Sequence, residues 1–205
     1  ANVEAGDTAI LFRRMGIDVH IIPTWTEAKE NPWPERLRQA GCKIHVTQPE
    51  AIDSVPGLAG SIVVSFCNSN LNAAWPRLKA MGCRLVWSPC MNYAQRFEEH
   101  VFSRWPPAAV HFQSEYQRKQ LETQYALWQV PADKMHVICG AFDLFNHPFQ
   151  PTPRDGRQFT IGRLTRAHPQ KYHEQFWPML KAVAEGCPDI AVKILQSWDD
   201  VAADY

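Results

Sequence analysis

This sequence predicts an α/β fold: a doubly wound, mostly parallel sheet, followed by the beginning of a second unit of the same kind. Three observations predict it. Strand-like and helix-like segments alternate along the whole chain. Gly16, Gly41 and Gly82 each stand between a helical segment and the next strand. SIVVSF at 61–66 is a near-continuous apolar run, as expected of a strand buried on both faces of a parallel sheet.

The elements follow in order. Residues 3–15 read as a helix, with Ile10, Leu11 and Met15 apolar and Gly16 as its C-terminal stop. Residues 17–23 read as a strand, then comes a loop rich in Pro and Trp, and 35–40 form a short helix closed by Gly41. Residues 42–46 are the next strand and 48–53 a brief helix or turn. Strand 61–66 leads to helix 71–81, then strand 83–87, helix 94–102 and strand 108–112. Ser114 caps a helix reaching to about Leu127, and 134–138 is a further strand. A helix ahead of the first strand leaves a sheet edge uncovered. A strand is therefore expected upstream of residue 1, and Ala1 is expected not to be the native beginning.

Residues 145–157 carry three prolines and a glycine without apolar period, and read as a linker between domains. The first domain is then 1–144. The second spans 158–205, with a strand at 158–161, a helix at about 172–184 and a strand at about 190–195. One βαβ unit does not make a domain, so the chain is expected to end inside it.

Composition narrows the function classes. With 205 residues, 45% hydrophobic and 20% charged, the chain is long enough for a sizeable core. Its 21 basic and 21 acidic residues cancel, which argues against a general nucleic-acid binder. No run of about 18 apolar residues exists, so no membrane span is expected. The six cysteines form no CxxC pair and are expected as buried thiols in a reducing, cytoplasmic setting. The eight histidines show no ligand spacing, so no metal is expected.

The stretch FTIGRLTRAHPQKYHEQFW at 159–177 holds the densest chemistry. Strand 159–161 runs into Gly162 and Arg163, and a polar loop with Arg166 and Lys171 precedes a helix. Glycine lets backbone approach a ligand, a helix N-terminus offers free N–H groups, and Arg and Lys neutralise charge. Such a turn suits a diphosphate. The plain alternative is an ordinary strand-to-helix turn with solvated basic residues.

Other candidates lie at strand ends, where open α/β sheets collect ligands. Asn68 and Ser69 follow strand 61–66, and Ser114 and Glu115 follow strand 108–112; each pair also fits a simple helix cap. Asn2 and Glu4 open the first helix as ligand contacts or caps. Asp143 is a cleft or turn residue, and Trp198 follows the last strand. His168 is a loop histidine, either a proton carrier or merely solvated. Trp25, Trp33 and Pro34 crowd one loop, placed to stack on a sugar, touch a membrane surface or pack the loop down.

Four segments together resemble the retaining glycosyltransferases of the GT-B fold, specifically glycosyltransferase family 4. These are the opening helix with MGIDVHII, then AAVHFQSEYQRKQLE, KMHVICGAFDLFNHPFQP and FTIGRLTRAHPQK. The resemblance implies two Rossmann-like domains, an acceptor on the first, a nucleotide-sugar on the second, and transfer with retention without a metal or other cofactor. Arg163 and Lys171 would hold the donor diphosphate, with Gly162 and Arg166 beside them. The chain departs from the family pattern at three places. Cys139-Gly140-Ala141-Phe142-Asp143 replaces an Asn-Gly turn, Lys171-Tyr172 replaces Lys-Gly, and Ser88-Pro89-Cys90-Met91 stands where a histidine is usual. No catalytic residue is assigned. Two alternatives stay open: a non-catalytic module binding a glycan or protein through the Trp-rich loop, and a sugar-nucleotide epimerase. No GxGxxG follows a strand, which disfavours a nicotinamide enzyme.

Overall fold

The structure, a computed structural model, describes residues 3–23, 33–140, 148, 150, 159–164, 174–187 and 189–195. The chain divides into two compact units, Ala1–Pro148 and Phe149–Tyr205.

In the first unit, α1 (Val3–Arg14), β1 (His20–Ile21), α2 (Trp33–Gln39) and β2 (Lys43–Ile44) come first. After a 3₁₀ turn at Pro49–Ser54 follow β3 (Ile62–Phe66), α3 (Leu71–Ala80), β4 (Arg84–Ser88), α4 (Arg96–Phe102), β5 (Ala109–Phe112), α5 (Glu115–Leu127) and β6 (Met135–Val137). β1 and β2 pair with each other, and a four-stranded sheet runs in the order β3-β4-β5-β6. Every pairing between described strands is parallel. The α/β class is thus as the alternation predicts.

The glycine punctuation has its physical basis in the backbone. Gly16, Gly41 and Gly82 hold φ of +84°, +85° and +74°. The amide of the following residue bonds back across each helix end: Ile17 to Phe12 O, Cys42 to Leu37 O and Cys83 to Leu78 O. This is the Schellman closure, and a side chain would strain it.

Register decides which face of the sheet is core. Val63 pairs with Leu85, Ser65 with Trp87, Trp87 with Val110, Val110 with Met135 and Phe112 with Val137. These residues share one face. They pack under Trp75 and Leu78 of α3, Val101 and Phe102 of α4, and Leu121 and Tyr125 of α5. A second, smaller core joins Ala9, Ile10, Val19, Trp33, Leu37 and Cys42.

The opposite face corrects one expectation. β3 is not buried on both faces: Ile62 is 58% exposed and Val64 38%. The reason is handedness. Right-handed crossovers that advance steadily from β3 to β6 place α3, α4 and α5 on the same side. An apolar run in sequence carries no information about that sense of travel.

Among the described residues β3 pairs only with β4, and a groove of about 1070 Å³ lies along its other side. Asp18, His20 and Ile22 line the groove opposite residues 61–65. An open apolar strand edge templates association. The chain is therefore expected to self-associate with rising concentration, and Ile62→Lys to reduce this, as read by light scattering. Equal scattering from both proteins would show that the β3 edge is not the contact.

Two further expectations are corrected. Trp33 opens α2 instead of lying in the loop, and of its alternatives packing is the one the structure bears out, at 7% exposure in the second core. A Cβ on Gly6 would collide with its ring, and Arg36 lies 5.5 Å over it. That indole is occupied by packing and is not presented for sugar stacking or a membrane surface. Trp25 lies outside the described residues. The six cysteines are all free, but only Cys42 and Cys83 are buried; Cys67 is half-buried and Cys90, Cys139 and Cys187 are exposed. The exposed three stand at loops or element ends, where the apolar periodicity that buries a thiol is absent.

The second unit contains β7 (Phe159–Leu164), α6 (Phe176–Gly186) and β8 (Ile190–Leu195). β7 does not end at Ile161. Its ladder with β8 continues through Gly162 opposite Lys193, Arg163 opposite Ile194 and Leu164 opposite Leu195. Six consecutive parallel pairs hold Gly162 and Arg163 in the strand rather than in the turn after it. No described helix is long and apolar enough to cross a membrane.

Candidate functional site

In the first unit the carboxyl ends of β3, β4, β5 and β6 converge on a polar cluster. Its construction begins with Gln117 in the first turns of α5, which is 3% exposed. Its Nε2 donates to Pro89 O at 2.9 Å and to Met91 O at 3.0 Å. Its Oε1 accepts from the Gln113 amide at 2.8 Å. One amide side chain thereby pins the segment after β4 and the residue after β5 together. A buried primary amide with its groups satisfied in this way makes a rigid joint.

Gln113 then reaches the first helix. Its Nε2 donates to Glu4 Oε2 at 2.6 Å. The other oxygen, Glu4 Oε1, is buried and has no hydrogen-bond partner among the described residues. It lies 3.1 Å from where a Cβ on Gly140 would stand, so a side chain at Gly140 would crowd it. Ser88, fully buried at the end of β4, has an Oγ in the same condition.

The sulfur chemistry sits beside this. Cys67 follows β3 with φ of +47°, the left-handed region that few non-glycine residues occupy. Its amide donates to Ser88 O at 3.0 Å. Its sulfur accepts from Gln95 Nε2 at 2.8 Å and shares a hydrogen bond with Cys90. The Cys90 hydrogen bond is the main reason that the Cys67 thiol is lowered to about 6; burial opposes it. The same bond holds the proton on Cys90, whose thiol is raised.

Glu98 of α4 underlies the cluster at 1% exposure. Its Oε1 accepts from Trp87 Nε1 at 2.8 Å and from Tyr125 OH at 3.3 Å, and Oε2 accepts from the Gln95 amide at 2.9 Å. Burial still raises its carboxyl above the usual range, outweighing these donors. Tyr125 is raised as well, first by burial and then by the Glu98 charge. The cluster is rich in acceptors and carries acidic groups. It suits hydroxyl or ammonium donors better than a phosphate.

The sequence-derived candidates fall out as follows. Glu4 enters the cluster, and the partner of its Oε2 is Gln113. Asn68 is next to Cys67, and its Oδ1 accepts from the Asn70 amide at 3.0 Å; Asn70 holds the N-cap position of α3 without a side-chain cap bond. Ser69 is exposed. Ser114 is an N-cap, its Oγ accepting from the Gln117 amide at 3.1 Å, and Glu115 is exposed in the first turn of α5. Gly162 and Arg163 belong to β7 in the second unit. Asn2, Asp143, Arg166, Lys171 and Trp198 lie outside the described residues, as does His168. Among the described residues no group of three or more His, Cys, Asp or Glu is placed to hold a metal ion.

Sequence reasoning missed Cys67, Cys90, Gln95, Glu98, Gln113 and Gln117. A signal for two of them was present. Cys67 follows the run SIVVSF and Cys90 follows CRLVWSP. Parallel neighbours in register place such residues side by side, and Phe66 pairs with Ser88.

No protein-family model matches the chain, and no curated protein matches it. Among solved structures it is similar to MurG from Acinetobacter baumannii, with 13% sequence identity and a TM-score of 0.50. The match covers 99% of this chain and 64% of that one, so the chain spans just under two thirds of the length of the structure it matches. MurG is a glycosyltransferase of the GT-B fold. The likeness, with the parallel α/β sheets described above, shows a GT-B-like α/β fold for this chain.

Proposed function

We propose that the chain carries the acceptor-side domain and the start of the donor-side domain of a glycosyltransferase. It moves a sugar from a nucleotide-sugar to a glycan or small-molecule acceptor in the cytoplasm, in the manner of family 4: with retention and without a metal. The observation that supports this reading most is the likeness to MurG, a glycosyltransferase, over 99% of the chain.

The roles follow from charge. As the bond from sugar to nucleotide breaks, negative charge grows on the departing diphosphate. Fixed cations act most strongly on charge present in the transition state, so they lower that barrier. Arg163, near the carboxyl end of β7, is the donor-side cation, with Gly162 giving backbone access and Arg166 and Lys171 following it in sequence. On the acceptor side the acidic, acceptor-rich cluster receives hydroxyl groups. Glu4 Oε1, without a donor among the described residues, accepts from one of them.

The test is calorimetric titration of the full-length protein with UDP and with GDP. Binding of one of them is expected. Arg163→Ala is expected to weaken it by about 10- to 100-fold, the worth of one charge-assisted hydrogen bond. A folded protein with affinity for neither nucleotide overturns the reading. A changed sugar released from the nucleotide-sugar with no acceptor present would assign an epimerase instead.

A further inference from the structure

We propose that Cys67 and Cys90 form a thiol–disulfide exchange centre at the carboxyl ends of β3 and β4, which takes a low-molecular-weight disulfide as its oxidant. Nothing in this chemistry depends on sugar transfer.

Three geometric observations carry it. Register brings the two residues together: Phe66 pairs with Ser88 and the Cys67 amide donates to Ser88 O at 3.0 Å, so Cys67 and Cys90 leave neighbouring parallel strands side by side. Gln95 Nε2 donates to the Cys67 sulfur at 2.8 Å, an arrangement that favours the ionised form. The backbone is held at both residues. Cys67 is held at φ +47° with its amide on Ser88 O, and Cys90 is fixed because Gln117 grips the carbonyls of its two neighbours, Pro89 and Met91. Strain of that kind at a non-glycine residue persists only where the surroundings over-determine it, and functional sites are where it collects.

The charged groups facing the pair are Glu98 from α4, which raises both thiols, and Glu4 from α1, which raises Cys90. The amide donor from Gln95 sits on the Cys67 sulfur and favours its thiolate, so Cys67 attacks first. Its thiolate displaces one sulfur of RS–SR, forming a Cys67–S–S–R bond; RS⁻ leaves and takes a proton from water. Cys67 is then neutral and no longer accepts the Cys90 proton, which passes to water. The Cys90 thiolate attacks the Cys67 sulfur and expels the second RS⁻. In sum, two protein thiols lose two electrons and RS–SR becomes two RSH.

The experiment treats the full chain with oxidised glutathione, alkylates the remaining thiols and maps peptides without reduction. A Cys67–Cys90 disulfide is expected. Cys90→Ser should stop at a glutathione adduct on Cys67. Cys67→Ser should modify Cys90 no faster than exposed Cys139 or Cys187, with its circular dichroism unchanged. Rates of alkylation at pH 6.5 give a second readout. Cys67 should react about 5-fold faster than exposed Cys139 or Cys187, the net of greater ionisation and lower intrinsic nucleophilicity. Adducts spread over Cys139 and Cys187 with Cys67 untouched, or no Cys67–Cys90 linkage in the unsubstituted protein, would overturn the proposal.

Discussion

Trp87→Ala is expected to lower stability by about 4 kcal/mol. Trp87 is fully buried in the middle of the four-stranded sheet. Its ring meets Phe97 edge-on at 5.7 Å and Phe102 at 5.2 Å. Phe102 in turn packs on Tyr125 and Trp128, so the indole anchors a chain of aromatic contacts across α4 and α5. Deleting it leaves a cavity that rigid rings cannot fill, and takes one of two donors away from Glu98 Oε1. Urea unfolding followed by circular dichroism measures the loss. A value below about 1 kcal/mol would mean that the surroundings collapse into the space, contrary to a close-packed core.

Glu98 gives the second large effect, and a pH signature. Glu98→Ala strands Trp87 Nε1, Tyr125 OH and the Gln95 amide, and buried donors without partners cost about 1–3 kcal/mol each. A loss of about 4 kcal/mol is expected. Glu98→Gln keeps the shape and one acceptor oxygen, so it should be milder. Its pH behaviour is the sharper test. Burial raises the folded carboxyl above its unfolded value of about 4.3, so the folded state holds its proton longer. That contribution is fully present below the unfolded pKa and is lost as pH rises through the folded pKa. The stability of the unsubstituted protein relative to Glu98→Gln should therefore fall as pH rises from about 4, then level off. A difference independent of pH would show that Glu98 titrates normally. Because Trp87 and Glu98 share a hydrogen bond, the double substitution should cost less than the sum of the two.

How much of this was readable beforehand depends on the range of the interaction. The helix ends at Gly16, Gly41 and Gly82 were readable, because closure needs a left-handed residue within one turn of the helix. Ser114 was readable as a cap for the same reason. The end of β7 was not. Gly162 and Arg163 look like turn residues until a partner strand ending at Leu195 extends the ladder. Glu98 and Glu99 stand together in the segment 94–102, and nothing local tells one from the other. Only the fold places Glu98 against Trp87 and Tyr125 and leaves Glu99 exposed.

The sequence by itself determined the alternation of helix and strand, the parallel sheet and the points where the chain turns. Those follow from side-chain period and backbone sterics, which act over a few residues. The tertiary structure alone decided which face of β3 stays open, which tryptophan is core, and that Glu4, Gln113, Cys67 and Cys90 meet at one edge. Those follow from strand order and crossover handedness, which join residues far apart in the chain and leave no local mark in it.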